Sequence, residues 1–292
     1  MGGGADLDEA FRWLCNRAGG GDFLVLRATG NDEYNSYIQG LCHLNSVATL
    51  VIPSRTAASD AAVARIISHA SGLFICGGDQ ANYINFWMET PVEGALNEAI
   101  RRGVPIGGTS AGLAVMGEWV YSAQGDKPDD PNLDSKSVLE NRNKSRVTLV
   151  HGFLDIPILK GILTDTHFAR RDRMGRLLVF LAHANEPDGK EVPPLGKPPV
   201  RGIGVDQGAA VLLNPDGHAK VVGRGGAWFI DRVENAFFAD PIKPVELKGV
   251  TVHKVAPGHA FNVKSWTGES SDYVLSVHQG KLKSNQPGGA IY

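Results

Sequence analysis

A short glycine-rich stretch after an apolar run is the feature of this sequence that most restricts its fold. Residues 104–106 are Val-Pro-Ile, and residues 107–112 read Gly-Gly-Thr-Ser-Ala-Gly. A buried strand that ends in glycines and turns into a helix is the setting of a nucleophile elbow, which exposes a serine at the edge of a sheet. Gly108 and Gly112 remove side chains that would crowd such a bend. The stretch predicts an α/β fold with Ser110 as a nucleophile.

The chain before Ser110 alternates between apolar strands and amphipathic helices, which favours a parallel sheet covered by helices on both faces. The predicted strands are 23–26, 47–52, 73–76 and 104–106, and the predicted helices are 6–18, 32–44, 59–70 and 81–102, the last with a break at Pro91. Ligands bind such sheets at the carboxyl ends of the strands. The glycine-rich strand ends at Gly78 and Ser110 come from consecutive strands, so we expect them to be neighbours.

The second half of the chain is richer in strand patterns. Residues 209–213 are apolar, residues 219–222 read Ala-Lys-Val-Val, and the two segments flank Asn-Pro-Asp-Gly at 214–217, which indicates a β-hairpin. Further strands are predicted at 228–230, 250–255 and 273–277. We expect a single α/β domain over 1–292, with a doubly wound core at 1–185, a loop at 186–199 and a β-rich part at 200–292.

Composition excludes several classes of function. The chain has 292 residues, 42% of them hydrophobic, and a net charge of −2. This near-neutral charge favours neither a nucleic-acid partner nor an anionic membrane. No apolar run is long enough for a membrane span. The three cysteines lack a C-x-x-C spacing and argue against a disulfide framework or a structural zinc site.

The start of the chain is unusual for an alternating α/β protein. Gly2, Gly3 and Gly4 form a glycine turn that enters a helix directly, and no strand precedes it. We therefore expect a first strand or a targeting segment to precede Met1 in the natural protein. For this reason the compartment stays open, cytoplasmic or secreted.

A serine nucleophile needs a base, and the base needs an orienting group. Of nine histidines, His167 stands out because it follows a predicted strand at 158–164, where the carboxyl-end rule places ligand contacts. The residues alone do not choose the acid among five carboxylates that follow Ser110: Glu118, Asp126, Asp129, Asp130 and Asp134.

A cluster of arginines follows His167 on a predicted helix that runs to about His183. It consists of Arg170, Arg171, Arg173 and Arg176. Such a run is usually the solvated face of a helix. At helical spacing, however, Arg173 and Arg176 share a face that Arg170 can join, and guanidinium groups suit carboxylates. The cluster is therefore a candidate site for acidic groups of a peptide substrate.

Three ordered blocks of this sequence resemble the active-site blocks of cyanophycinases. They are Gly-Gly-Asp-Gln at 77–80, Gly-Thr-Ser-Ala-Gly at 108–112, and Asp-Thr-His-Phe-Ala-Arg-Arg-Asp-Arg-Met-Gly-Arg at 165–176. The wider family includes dipeptidase E, an aspartyl dipeptidase. The resemblance implies a serine peptidase on a class I glutamine-amidotransferase-like, flavodoxin-like α/β fold with a β-rich C-terminal extension. Cyanophycinases release β-Asp-Arg dipeptides from a polymer with a poly-aspartate backbone.

The resemblance also implies roles for individual residues. Ser110 matches the nucleophile, His167 the base and Asp126 the triad acid, with Asp129 as the next candidate. Gly78 and Ala111 match the backbone donors of the oxyanion hole. The matching substrate-binding positions are Gln80, Asp165, Thr166, Arg171, Arg173 and Arg176. The family needs no metal or cofactor, and because relatives commonly form dimers, a homodimer is a further expectation.

One departure affects the expected substrate. Cyanophycinases have glutamine between the aspartate and the histidine of the third block, whereas this chain has Thr166, which lacks an amide. The leading interpretation is a serine exopeptidase that hydrolyses β-aspartyl linkages in cyanophycin. The alternatives are an isoaspartyl or α-aspartyl dipeptidase, and a non-catalytic binding module on the same fold.

Overall fold

The computed structural model describes residues 1–126, 132–140, 146–185, 199–233 and 244–292. Helices and strands alternate up to the candidate nucleophile: α1 (Asp8–Arg17), β1 (Asp22–Arg27), α2 (Tyr34–Leu41), β2 (Ser46–Val51), α3 (Arg55–Ala58), α4 (Ala61–Ser68), β3 (Gly72–Ile75), α5 (Gln80–Trp87), α6 (Pro91–Arg101), β4 (Ile106–Gly108) and α7 (Ala111–Ala114). The predicted break at Pro91 is confirmed, since α6 begins there.

The later elements are mostly strands. A middle group comprises β5 (Trp119–Tyr121), α8 (Ser135–Glu140), β6 (Leu149–His151), β7 (Ile162–Asp165) and α9 (Met174–Ala184). The strands that follow are β8 (Arg201–Val205), β9 (Ala209–Leu213), β10 (His218–Gly223), β11 (Ala227–Ile230), β12 (Leu247–Val255), β13 (Ala260–Asn262), β14 (Thr267–Gly268), β15 (Ser271–His278) and β16 (Lys281–Ser284).

The first sheet is parallel, in the order β2-β1-β3-β4. Alternate residues of a strand point to opposite faces. In β1, Phe23 and Val25 belong to the apolar cluster that includes residues of α1 and α2. Leu24 and Leu26 belong to another cluster, which includes residues of α4 and α6. The sheet is therefore covered by helices on both faces, which confirms the predicted α/β class.

The two glycine-rich strand ends are neighbours, as predicted. β3 and β4 pair in parallel, with Ile75 opposite Gly108. Their carboxyl ends therefore lie at the same edge of the sheet, and the chain leaves β3 through Gly78 beside Ser110.

The other strands form two further sheets. One has eight strands in the order β16-β15-β12-β11-β8-β7-β5-β6, and within it β7 pairs in parallel with both β5 and β8. The other is antiparallel, in the order β14-β13-β10-β9, and contains the predicted hairpin between β9 and β10. The β-rich C-terminal part is thus confirmed.

Two predictions near His167 were wrong. The strand expected at 158–164 spans Ile162–Asp165, because Pro157–Leu159 forms a 3-10 turn. The helix expected from about Arg170 begins at Met174. Arg170 and Arg171 precede it, so the arginines do not share a helical face. Most of the predicted loop at 186–199, and Asp129 and Asp130, lie outside the described residues.

A disulfide joins Cys15 in α1 to Cys42, just after α2, with a Cα–Cα distance of 6.0 Å. The sequence argued against a disulfide framework, and this pair shows that the argument was wrong for two of the three cysteines. Their spacing carries no motif; they meet because α1 and α2 cover the same face of the first sheet. Cys76 is a buried free thiol.

In the described ranges, no helix is both long and apolar enough to cross a bilayer.

The disulfide predicts a measurable loss of stability on removal. A cross-link between residues 27 apart restricts the unfolded chain, and its loss should cost about 3 kcal/mol. The Cys15→Ser/Cys42→Ser variant should therefore melt about 5–10 °C below the wild type. Thermal unfolding with and without reductant checks this. The double variant should not respond to reductant, and a reductant-insensitive wild type would contradict the prediction.

Candidate active site

Ser110 occupies a strained bend between β4 and α7. Its φ of 50° and ψ of −118° are unusual for a residue with a side chain, and such strain is concentrated at functional sites. The surrounding glycines are sterically required. A Cβ on Gly112 would lie 2.0 Å from the carbonyl oxygen of Ile75, and one on Gly108 would lie 2.6 Å from the backbone carbon of Gly112. The predicted elbow is therefore present in the fold.

His167 contacts the serine directly. Its Nε2 lies 2.6 Å from Oγ of Ser110, which is the contact that a general base needs to accept the hydroxyl proton. The histidine follows β7 by two residues, and its own φ is 47°. Its backbone N–H donates to the carbonyl of Gly2, and its carbonyl accepts from the N–H of Arg171. The structure thus brings together the two residues that the sequence paired.

Gln207 is the third member of this chain of contacts. Its side-chain amide lies 2.6 Å from Nδ1 of His167, on the far side of the imidazole from Ser110. Gln207 is in the loop between β8 and β9, and β8 is the parallel neighbour of β7. The carboxyl ends of these two strands meet at one edge, which places Gln207 behind His167.

The orientation of the Gln207 amide decides which proton form of His167 is present. Proton transfer from Ser110 requires an unprotonated Nε2, so Nδ1 must carry the hydrogen and needs an acceptor. The amide meets this need when its Oε1 faces Nδ1. When its Nε2 faces Nδ1 instead, the amide donates, and the hydrogen moves to the ring nitrogen beside Ser110. A glutamine therefore permits a productive and an unproductive tautomer, whereas a carboxylate accepts only.

The structure does not bring Asp126 to His167, which corrects its assignment as the triad acid. Its Oδ1 accepts from the hydroxyl of Tyr121 at 2.7 Å and from Nη2 of Arg146 at 3.2 Å. Two other candidates are also engaged elsewhere. Glu118 accepts from the N–H of Gly161, and Asp134 accepts from the N–H of Ser137 near the start of α8.

The predicted oxyanion-hole residues flank Ser110. Ala111 is the first residue of α7, where backbone N–H groups have no acceptor within the helix. The backbone of residues 77–78 passes close by, since a Cβ on Gly77 would lie 3.3 Å from Cβ of Ser110. Gly78 has φ of 143°, a value that favours glycine, and it is exposed. These positions suit a pair of N–H donors, a role that stays a prediction.

Asp165 and Arg176 form a buried ion pair beneath the site. Nε and Nη2 of Arg176 donate to the two carboxylate oxygens of Asp165, at 2.8 and 2.5 Å. Both residues are 2% exposed. Arg176 also donates to the carbonyl of Leu133. Its guanidinium is bound within the protein, so the pair supports the site rather than offering a free cation to substrate.

Arg173 and Thr166 also bind each other. Nη1 of Arg173 donates to the carbonyl oxygen of Thr166 at 2.9 Å and to its hydroxyl at 3.3 Å. Burial, together with the charge of Arg176, lowers the pKa of Arg173 to about 9. Thr166 is therefore turned toward an arginine.

Gln80, the first residue of α5, donates to the carbonyl of Tyr121 and is partly exposed.

Arg171 differs from the other arginines of this cluster. It is exposed, and among the described residues no side chain forms a hydrogen bond or an ion pair with its guanidinium. Its charge is near enough to His167 to help lower the pKa of that histidine. Arg171 is therefore a positive charge at the site that is available to a ligand.

His167 is held neutral by its surroundings. Burial, and then the charges of Arg171 and Arg173, lower its pKa to about 4, against a smaller opposite effect of Asp165. The imidazole is therefore an unprotonated base at neutral pH, as nucleophile activation requires.

Within the described ranges, no three His, Cys, Asp or Glu side chains are grouped as a metal site would need.

Sequence reasoning missed Gln207 because the search for the third residue considered carboxylates only. A signal was available: residues 202–205 form an apolar run that ends in Asp206, Gln207 and Gly208. The carboxyl-end rule, applied to this strand as it was to the strand before His167, would have placed these side chains at the site.

The elbow, the serine–histidine contact and the α/β fold define a site of the serine hydrolase class. The model of peptidase family S51 matches residues 28–143, which include Gly78, Gln80 and Ser110. Cyanophycinases from Synechococcus elongatus and Thermosynechococcus vestitus are each 26% identical over 264 residues, covering 86% of this chain and 73% of theirs. The cyanophycinase of Trichormus variabilis is 28% identical over 222 residues, covering 74% and 65%.

A solved structure is similar over nearly the whole chain. The crystal structure of a peptidase from an acI-B1 Actinobacterium has 16% sequence identity and a TM-score of 0.56, covering 90% of this chain and 94% of that chain. This likeness supports the fold. Together with the family match and the curated relatives, it confirms the resemblance to the cyanophycinase and dipeptidase E family, at modest identity. The protein is a serine-type peptidase, and it is similar to peptidase family S51 over residues 28–143.

The proton forms of His167 predict how hydrolysis depends on pH. A base whose pKa is lowered to about 4 is unprotonated above that pH, so kcat/KM should be level near neutrality and fall as the pH drops through about 4. Replacing Gln207 with glutamate adds a carboxylate that only accepts and that favours the charged imidazolium. The Gln207→Glu variant should therefore hydrolyse faster at neutral pH, by about tenfold or more, and its acidic limb should move to higher pH.

Initial rates measured from pH 3.5 to 8 on both proteins check this. Gln207→Ala is the control, because it removes the contact without supplying an acceptor, and it should be slower than the wild type. Identical acidic limbs in the wild type and Gln207→Glu would show that residue 207 does not act on His167.

Proposed function

We propose that this protein is a serine exopeptidase that acts on β-aspartyl peptides, with cyanophycin, from which it releases β-Asp-Arg units, or a related isopeptide as its substrate. The observation that carries the proposal is the guanidinium of Arg171, which no side chain of the described residues pairs and whose charge acts on His167. A planar guanidinium binds a carboxylate with two parallel hydrogen bonds. Linkage through the side chain of aspartate leaves its α-carboxylate free for such an arginine. The curated relatives that carry the name cyanophycinase support the same substrate class.

The chemistry follows from the contacts. Oγ of Ser110 attacks the backbone carbonyl carbon of the aspartate that precedes a terminal β-Asp-Arg unit, while its proton passes to Nε2 of His167. The N–H groups of Gly78 and Ala111 stabilise the oxyanion that forms. The intermediate collapses as the C–N bond breaks, and the leaving amine takes the proton from Nε2. Water, activated by the same nitrogen, then hydrolyses the ester that joins the remaining chain to Ser110 and frees the enzyme.

The charges around the site favour an acidic substrate. Asp165 is paired with Arg176 and lies within 3.7 Å of Arg173. Arg173 and Arg176 thus face one carboxylate, Arg171 adds a third positive charge nearby, and the excess is positive. The carboxylate of Asp126 is paired with Arg146. A pocket with this balance attracts a carboxylate at the aspartyl end of a peptide.

A second candidate is a dipeptidase for isoaspartyl or α-aspartyl peptides. It is favoured by Thr166, whose hydroxyl is bound to Arg173 and which lacks the amide found in cyanophycinases. A lost hydrogen bond to substrate can change the choice of substrate without altering the triad.

A comparison of substrates separates these functions. Cyanophycin, β-Asp-Arg, β-Asp-Lys and Asp-Leu would be supplied to the wild type and to Ser110→Ala. We expect the wild type to degrade the polymer to β-Asp-Arg, and Ser110→Ala to lose about 10⁶-fold in rate while folding normally. A serine-directed covalent probe should label only the wild type.

Each outcome has a clear meaning. Good turnover of a dipeptide without degradation of the polymer would favour the second candidate. Undiminished hydrolysis by Ser110→Ala would refute the assigned nucleophile.

Arg171 predicts a specific loss of substrate affinity. Arg171→Ala removes the free guanidinium, so KM for a β-aspartyl substrate should rise by about 10–100-fold, the cost of one or two charged hydrogen bonds, with little change in stability. Arg170→Ala is the matched control, since Arg170 is the exposed neighbour and should leave KM unchanged. Steady-state kinetics on both variants test this. Equal effects of the two substitutions would mean that only general charge matters.

A further inference from the structure

Tyr83, in α5, binds the backbone that connects β3 to this helix. Its hydroxyl donates to the carbonyl of Cys76 at 2.8 Å and to the carbonyl of Gly77 at 3.2 Å. Tyr83 is 1% exposed, and its ring packs on the ring of Trp87, with 4.5 Å between the two centroids. A buried side chain of the helix thus reaches back to the loop that carries Gly78.

The two carbonyls belong to the peptide groups whose N–H groups are those of Gly77 and Gly78. A peptide group is planar and trans, so its carbonyl and its N–H point in opposite directions. A donor that holds the Gly77 carbonyl on one side therefore directs the Gly78 N–H to the other. The hydroxyl of Tyr83 thus fixes the direction of a predicted donor of the oxyanion hole.

This loop needs such a contact because Gly77 and Gly78 have no side chains to hold it. Gly78 has φ of 143°, in a region where glycine is free to move between conformations. The next fixed point is Asp79, whose carboxylate accepts the N–H of Ala81 at the start of α5. Between the end of β3 and Asp79, the hydroxyl of Tyr83 is the side-chain contact that holds the backbone.

The loop also lies against the nucleophile and α7. A Cβ on Gly77 would lie 3.9 Å from Oγ of Ser110, and a Cβ on Gly112 would lie 2.7 Å from the carbonyl oxygen of Cys76. The Cys76 carbonyl, which Tyr83 binds at the shorter distance, is therefore packed against the first turn of the helix that begins with Ala111. The contact keeps the loop of Gly78 beside the other predicted donor.

We propose that Tyr83 is a positioning residue for the oxyanion hole, because its hydroxyl aims the Gly78 N–H at the oxygen that becomes charged during attack. The hydrogen bond to the carbonyl also polarises the peptide group and strengthens its N–H as a donor. Such a donor stabilises the transition state more than the bound substrate. The inference rests on the serine mechanism of the proposed function, but not on which peptide is hydrolysed.

The hydroxyl acts only as a donor here. Burial raises the pKa of Tyr83, so the hydroxyl keeps its proton at neutral pH, and both of its partners are carbonyl oxygens, which only accept. Its contribution therefore does not change in the pH range where His167 gains a proton. An effect of Tyr83 on the oxyanion is in this way separable from an effect on the base.

The test compares Tyr83→Phe with Thr90→Val. Each variant deletes one buried hydroxyl that donates to a backbone carbonyl, since Oγ1 of Thr90 donates to the carbonyl of Trp87 at 2.5 Å. Trp87 is at the far end of α5 from Gly78, so Thr90→Val controls for the loss of a buried hydrogen bond. Tyr83→Phe keeps the ring and its packing on Trp87. Both variants should fold, which circular dichroism checks.

Steady-state kinetics should separate the two variants. Tyr83→Phe should lower kcat by about 10–100-fold, somewhat less than the loss of a complete oxyanion donor, with KM within about twofold of the wild type. Its acidic limb should coincide with that of the wild type, because the contacts of His167 are unchanged. Thr90→Val should match the wild type in kcat, KM and pH dependence.

Labelling of Ser110 by a fluorophosphonate gives a second measurement that needs no peptide substrate. Oγ of Ser110 bonds to phosphorus, fluoride leaves, and the serine proton passes to Nε2 of His167, while the phosphoryl oxygen takes the place of the oxyanion. The rate constant should fall by about tenfold or more in Tyr83→Phe and stay unchanged in Thr90→Val. If no β-aspartyl peptide is hydrolysed, the proposed function fails, and this comparison still decides the role of Tyr83.

Two outcomes would overturn the inference. One is an equal rate of labelling for the two variants, whether both are slowed or neither is. The other is a higher KM for Tyr83→Phe with unchanged labelling, which would mean that the hydroxyl affects substrate binding and not the oxyanion hole.

Discussion

The meeting of Ser110 and His167 depends on strand ends from two different sheets being held together. Ser110 follows β4 of the first sheet, and His167 follows β7 of the second. The hydroxyl of Thr164, within β7, donates to the carbonyl of Leu113 in α7 at 2.8 Å. The segment from Met1 to Gly3 adds backbone bonds to the residues after both strands. The 2.6 Å contact between nucleophile and base thus rests on a few polar contacts across the junction.

Buried charge shapes the site below this junction. The Asp165–Arg176 pair is costly to desolvate, and removing one partner of such a pair usually costs about 3–5 kcal/mol. Here the pair holds the end of β7 against α9. His167 follows β7 by two residues, so the pair also helps to fix the position of His167. The surrounding positive charge keeps His167 neutral, and no side chain of the described residues pairs with Arg171. One cluster therefore acts on the base and, in the proposed function, binds the acidic group of the substrate.

Gln207 can hold the imidazole of His167 in either of two tautomers, and the direction in which its amide points decides which one. A carboxylate behind an imidazole fixes its tautomer and stabilises the imidazolium that forms during attack. A neutral amide can fix the tautomer in one of its two orientations, and it adds no negative charge. The low pKa of His167 is consistent with this, because burial and the arginines act on it without a carboxylate at Nδ1. The orientation of this one amide therefore decides which tautomer of the base faces Ser110.

The sequence by itself determined the α/β class, the elbow at Ser110, the pairing of Ser110 with His167 and the neighbouring ends of β3 and β4. These rest on local patterns: apolar runs, glycines that a bend requires, and the rule that ligands meet the carboxyl ends of parallel strands. It could not determine the partner of Nδ1, since Asp126 and Gln207 both lie in loops and only the pairing of β7 with β8 decides which one reaches His167.

The tertiary structure also decided how the arginines are used. Spacing placed them on one helical face, but α9 begins at Met174, so Arg176 is buried against Asp165 and Arg171 is left exposed. The disulfide of Cys15 and Cys42 likewise arises from a contact between two helical segments. Local sequence records which residues can bend, pair or carry charge, whereas long-range packing alone determines which of them meet.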